Sequence, residues 1–155
     1  MTICQATEND IPSWTRLKHS LWPHHPFEEH EKDARRTLSE PNEACFLLFE
    51  QSIGAVGFIE CRVYPAQPES YCHIEGWYVE PQFRRLGWGR ELVEAVELWS
   101  LHQAIPRLTS DTTPKYPISP AAHVKAGFKT LAQLTIFCKE LDTAAHAEDK
   151  NGDAA

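Results

Sequence analysis

The 155-residue chain contains no apolar run approaching the roughly 20 residues needed to span a bilayer. Its opening stretch, MTICQATEND, has no basic segment followed by an apolar core, so it does not read as a signal peptide. Together these absences lead us to expect a cytoplasmic protein that makes no membrane contact. No two cysteines form a C-x-x-C pair. Cys4, Cys45, Cys61, Cys72 and Cys138 are odd in number and scattered, and four of the five sit inside apolar runs. That pattern predicts buried free thiols rather than disulfides. His24, His25 and His30 are irregularly spaced, with no cysteine or paired carboxylate to complete a site, so no metal is expected. Positive charge is also short, with 15 Lys and Arg against 22 Asp and Glu, a net charge of −7 with His neutral. Binding phosphate backbones needs a basic face, which argues against nucleic acid as a partner. A small neutral or cationic partner suits this balance. There are no internal repeats and no linker.

Hydrophobic residues make up 42% of the chain, including five Trp and seven Phe. This is a globular composition, and the length fits one domain with one core. We read residues 1–142 as that domain. The tail DTAAHAEDKNGDAA, which begins at Asp142, has no aromatic or large aliphatic residue, and we expect disorder over 143–155. TICQAT reads as a strand and ENDIPSWTRLKHSLW as a helix that Asn9 or Asp10 can cap and Pro23 stops. FEEHEKDARRTLSE is a polar second helix. EACFLLFE and AVGFIECRVY form successive strands around the turn QSIG. YCHIEGWYVEP is a third strand of this run, and Gly76 inside it signals a bulge or a close backbone approach. RELVEAVELWSLHQA is an amphipathic helix, PRLTSD a short strand ending at Asp111, and PAAHVKA a short helix that Ser119 can cap and Gly127 ends. FKTLAQLTIFCKEL carries strand signals in its middle. The predicted order β-α-α-β-β-β-α-β-α-β is an α/β chain with a mixed sheet and helices on both faces.

FRRLGWGREL sits between a strand and a helix. The first turn of a helix has free N–H groups and a partial positive charge, and glycines let the backbone approach an anion. Arg84 and Arg85 add further charge. The spacing is neither the Walker nor the Rossmann pattern, so R-x-x-G-x-G alone is a weak signal. Its setting strengthens it: a Gly-interrupted strand lies just upstream, and HVKAGF follows about 40 residues later.

In this setting Arg84-x-x-Gly87-x-Gly89 resembles the pyrophosphate-binding loop of the GNAT superfamily of acetyl-CoA-dependent N-acetyltransferases, and HVKAGF resembles its late helix. The order of elements is similar over residues 1–140. LWPHHP, IEGWYVEPQFRRLGWG and SDTTPKYPISPAAHVKAGF further resemble the aminoglycoside 6'-N-acetyltransferases. The resemblance implies a GNAT fold with two strands, YCHIEGWYV and PRLTSD, splayed apart around acetyl-CoA. It implies cofactor contacts from Trp77, Tyr78 and Val79, from Arg84, Arg85, Leu86, Gly87, Trp88, Gly89 and Arg90, and from Tyr116. It implies an acceptor pocket lined by Trp22, His25 and Tyr64, with Glu75 and Asp111 binding the acceptor amine and assisting proton transfer. The reaction is amine attack on a thioester, so a carboxylate serves twice, holding the cation and then taking its proton. Bland readings remain open for these residues: Asp111 as a turn cap, Glu75 as a solvated strand residue, Trp22 as the core-facing end of its helix. His123 stands where many members carry a tyrosine that protonates the thiolate. Two positions depart from the pattern: Tyr116 lies near a site that often carries Asn, and Ala132 replaces an acidic contact of some relatives. The expected acceptor is an aminoglycoside, with a polyamine, metabolite amine or peptide amine as the alternative. A binding protein without turnover is a third reading. A homodimer is expected, with the C-terminal strand as an interface edge.

Overall fold

A computed structural model of the chain describes residues 1–140, so the tail expected over 143–155 lies outside the described residues. The elements run β1 (Thr2–Gln5), α1 (Ile11–Leu21), α2 (Phe27–Ser39), β2 (Glu43–Glu50), β3 (Gly54–Tyr64), β4 (Tyr71–Val79), α3 (Trp88–His102), β5 (Leu108–Ser110) and α4 (Ser119–Lys125). Short 3-10 turns precede α1 and follow β4. The five strands form one sheet in the order β1-β2-β3-β4-β5. The first four make an antiparallel meander, and α3 carries the chain over to β5, which pairs with β4 in parallel.

Strand alternation divides the core between the two faces of the sheet. Cys45, Leu47 and Phe58 face α1 and α2, where they meet Trp14, Leu17 and Ala34. Ala44, Leu48, Ile59, Cys61 and Ile74 face α3, where they meet Leu92, Val93 and Val96. Full burial of side chains such as Leu47 or Phe58 contributes about 1.5–3 kcal/mol each. The mixed sheet with helices on both faces agrees with the sequence pattern. α1 ends at Leu21, just ahead of Pro23, and Gly127, at φ 93°, closes α4. Ser119 lies inside α4 and not at its cap. Asp10 stands at the α1 N-cap without capping it; its carboxylate instead bonds Thr7 N and Oγ1.

Two further expectations need correction. Of the cysteines, Cys45, Cys61 and Cys72 are buried, but Cys4 and Cys138 are exposed, because Cys4 lies on the outward side of edge strand β1 and Cys138 in a segment exposed throughout; all five are free. The strand expected after Gly127 does not form among the described residues. Strand propensity needs a ladder partner, and Leu131, Leu134, Ile136 and Phe137 stand 83–89% exposed without one. No described helix is long and apolar enough to cross a membrane.

Candidate active site

β4 and β5 part company after three pairs, Cys72 with Leu108, His73 with Thr109 and Ile74 with Ser110. Beyond that point β4 continues to Val79, paired only with β3. The parting coincides with a bulge. Glu60 of β3 faces Gly76 and Cys61 faces Ile74, which leaves Glu75 as the extra residue. A bulge bends its strand and re-aims a side chain. Here Glu75 follows Ile74, and Asp111 follows Ser110, the last pair in the ladder. The two carboxylates therefore stand at the fork between the strands.

The open edge of β4 has a definite polarity. Glu80 N–H donates to Val56 O on β3. By strand alternation the backbone groups of Val79 and Trp77 then point away from β3, toward the gap. The Val79 carbonyl accepts from Arg84 Nε at 2.6 Å, and the Val79 N–H faces the gap with no partner among the described residues. The Arg84 guanidinium also lies 5.4 Å from the Tyr78 ring.

Beyond Arg84 the backbone takes positive φ at Arg85 (63°) and Gly87 (93°), then enters α3 at Trp88. Left-handed residues separated by ordinary ones turn successive N–H groups toward one concave side. Gly87 is the α3 N-cap and supplies no side-chain hydrogen bond, so the Trp88 and Gly89 amides lack a partner among the described residues, while Arg90 N–H donates to Gly87 O. A Cβ on Gly87 would meet nothing within 4 Å, whereas one on Gly89 would lie 3.0 Å from Trp77 Cζ2. Gly87 thus marks open space, and Gly89 lets α3 close on the Trp77 ring. Leu86 is exposed, and Arg90 pairs with Glu94 at 2.8 Å.

On the α1 side, the Trp22 ring packs edge-on against Phe58, stacks on His30 and lies over the Lys18 ammonium. It also lines a cavity of about 250 Å³ together with Asp33, Arg36, Glu43, Glu60, Arg62 and Glu75. Trp22 thus packs against the core at Phe58 and also lines the cavity. Three of the four carboxylates in this wall have cationic partners. Asp33 bonds Lys18 and Arg36, Glu43 contacts Arg36 and Arg62, and Glu60 bonds Lys18. Among the described residues Glu75 has none; its Oε1 accepts from Tyr64 O–H at 2.5 Å. That bond raises the Tyr64 phenol above its ordinary pKa. Asp111 makes no hydrogen bond among the described residues, so it does not cap the turn after it. His25 is exposed, lies 3.8 Å from Glu29 and lines a neighbouring cavity. Tyr116 O–H reaches the Leu21 carbonyl at 3.4 Å, next to Trp22. His123 donates from Nδ1 to Ser119 O and accepts at Nε2 from Ser110 Oγ, each at 2.8 Å, with its ring edge-on to Trp77.

Residues 10–128 match the acetyltransferase (GNAT) family. The chain belongs to the GNAT family of acetyltransferases. An aminoglycoside N(6')-acetyltransferase type 1 of Klebsiella aerogenes is 35% identical over 85% of this chain and 91% of its own length. The enzyme of the same name from Stenotrophomonas maltophilia is 32% identical over 93% and 96%. The solved structure of AAC(6')-Iy with the bisubstrate analogue CoA-S-monomethyl-acetylneamine superposes with a TM-score of 0.82 at 27% identity, covering 90% of this chain and 98% of that one.

The open β4 edge and uncapped α3 start are free to hold the acetyl-CoA that a GNAT acetyltransferase uses. Sequence reasoning missed three charged residues that line the two cavities: Lys18, Asp33 and Glu60. Lys18 falls in the apolar stripe of α1 with Trp14 and Trp22, and Glu60 falls inside the apolar run GFIECRV. A charge at an apolar position was the available signal. Burial pushes the Glu60 carboxyl up, against the charge and hydrogen bond of Lys18. No group of His, Cys, Asp and Glu suited to a metal occurs among the described residues.

Proposed function

We propose that this protein transfers the acetyl group of acetyl-CoA to the 6'-amino group of aminoglycoside antibiotics and so confers resistance to them. The observation that carries the reading is the fork itself. Glu75 and Asp111 stand where β4 and β5 separate, beside an open strand edge and an uncapped helix start. Acetyl-CoA supplies a thioester, an acyl group activated toward amines. Trp77, Tyr78 and Val79 hold its pantetheine arm as an added strand would be held. The turn Arg84, Arg85, Leu86, Gly87, Trp88, Gly89 and Arg90 receives its pyrophosphate on backbone amides, with Tyr116 closing the site. The free Val79 N–H faces the place where negative charge develops on the acyl oxygen.

On the acceptor side, Trp22, His25 and Tyr64 line the pocket. Glu75, the wall carboxylate without a cation, binds the acceptor ammonium, and Asp111 takes its proton directly or through a water. One ammonium proton passes to the carboxylate, the N–C bond forms and the C–S bond breaks, and the second proton of the attacking nitrogen passes to the sulfur, so that CoA leaves as its thiol. The reading puts the protein in the cytoplasm with its acetyl donor. A second reading, acetylation of another small amine, draws on the cations that neutralise the other three wall carboxylates. CoA release on incubation with acetyl-CoA and tobramycin or kanamycin tests the first reading. Release with spermidine or a peptide amine, and none with any 6'-amino aminoglycoside, would replace it by the second.

We also propose a homodimer. Its support is the strand-patterned segment after α4, whose exposed Leu131, Leu134, Ile136 and Phe137 lack a partner within the described residues. Sedimentation equilibrium should give a dimer for the wild type and a monomer for Ile136→Asp/Phe137→Asp.

A further inference from the structure

The α1 wall of the cleft is built on a buried ion pair that the acetyl transfer does not itself use. Lys18 is 1% exposed, and its Nζ donates to Glu60 Oε1 at 2.8 Å, Glu60 Oε2 at 2.9 Å and Asp33 Oδ2 at 2.5 Å. Glu60 is itself buried and accepts a further bond from Trp14 Nε1 at 3.2 Å. Burial alone would pull the Lys18 pKa down, but the Glu60 charge and the bonds to Asp33 and Glu60 hold it above the ordinary lysine value. Well-packed apolar side chains usually stabilise such a site as well as a buried pair does or better. Stability is therefore a weak reason for these charges, and their location supplies a stronger one.

The pair touches both halves of the acceptor wall. Lys18 Nζ lies 5.4 Å from the Trp22 ring centroid, within cation–π range. Glu60 stands at the register shift that expels Glu75 from the ladder, and its Oε1 would lie 3.2 Å from a Cβ on Gly76. One side of the pair thus holds the Trp22 ring, and the other abuts the bulge that aims Glu75.

We propose that Lys18 and Glu60 are positioning residues that fix Trp22 and the Glu75 bulge relative to each other and so set where the acceptor amine sits. This inference rests on the acceptor reading given above. It makes the pair selective in effect: acceptor binding depends on it, and cofactor binding, on the other side of the fork, does not.

The test replaces both charges together, since a single replacement strands a buried charge. In Lys18→Met/Glu60→Gln, KM for tobramycin should rise about tenfold or more with KM for acetyl-CoA unchanged. In a Trp22→Phe background the same pair of changes should add less than about twofold, because the ring being positioned is gone. A third readout needs no acceptor. In protein labelled with 5-fluorotryptophan, the Trp22 ¹⁹F resonance, assigned by its loss in Trp22→Phe, should shift or broaden while those of Trp77, Trp88 and Trp99 hold. An unmoved Trp22 resonance overturns the proposal, as do equal rises in both KM values or fully additive effects. If wild-type protein turns over no aminoglycoside, the acceptor reading fails, and the ¹⁹F measurement alone decides the positioning role. Lys18→Met/Glu60→Met, fully apolar, carries the same readouts if the first variant does not fold.

Discussion

The Trp22 ring rests on the backbone of Gly76: a Cβ at that glycine would lie 2.6 Å from Trp22 Cη2 and 3.1 Å from Phe58 Cε2. Gly76→Ala must therefore displace the ring or the bulged strand. Overpacking of this kind costs about 1–3 kcal/mol. We expect a lowered melting temperature and a raised KM for the aminoglycoside, with KM for acetyl-CoA little changed. Calorimetry and steady-state kinetics check the two halves. Normal acceptor kinetics would show that Trp22 does not shape the pocket.

The fork carboxylates should separate by kinetic signature. Asp111→Asn removes the proposed proton acceptor and should lower kcat by about 10²–10⁴. Glu75→Gln removes the charge that holds the ammonium and should act mainly on the acceptor KM. Tyr64→Phe removes only the 2.5 Å bond to Glu75 and should lower acceptor kcat/KM by about tenfold. Unchanged turnover in Asp111→Asn would remove that residue from the proton path.

The cofactor side should respond independently. Gly87 has open space around it but φ 93°, so Gly87→Ala introduces backbone strain without a clash, about 1–2 kcal/mol. Arg84→Ala frees the Val79 carbonyl and loosens the turn. Both variants should raise KM for acetyl-CoA and leave the aminoglycoside KM near wild type. Isothermal titration with CoA gives a direct check, and undiminished CoA affinity in both would place the pyrophosphate elsewhere.

His30 should impose a pH dependence on stability. Burial lowers its pKa below the ordinary value of 6.5, outweighing the hydrogen bond from Nε2 to the Trp22 carbonyl. The unfolded chain then binds more protons than the folded one just below pH 6.5, so stability rises with pH in that window. Its contribution is fully present above pH 6.5 and is lost as pH falls toward the folded pKa. The melting temperature of the wild type should drop between pH 7.5 and 5.5 by more than that of His30→Gln, in which the amide can still donate to Trp22. Equal drops would exclude His30 as the source.

Much of the fold could be read along the chain because its determinants are local. Pro23 and Gly127 end helices, the apolar runs in EACFLLFE and GFIECRV mark strands, and Gly76 foreshadowed the bulge. The final strand was misread for a complementary reason. LAQLTIF has the pattern of a strand, but a strand forms only by pairing, and among the described residues this segment joins neither β1 nor β5 at the sheet edges; pattern does not report pairing.

By itself the sequence determined the order of elements as far as α4, the family and the glycine-marked helix start in FRRLGWGREL, since helix starts, glycine conformations and strand patterns depend on neighbouring residues. Only the tertiary structure decided that the ladder ends at Ile74 and Ser110, putting Glu75 and Asp111, 36 positions apart, at one fork. Tertiary structure alone likewise decided that Lys18 meets Glu60 beneath Trp22. Those arrangements arise from register, bulge and helix docking, which are set by long-range packing and leave in the sequence only isolated charges in apolar company.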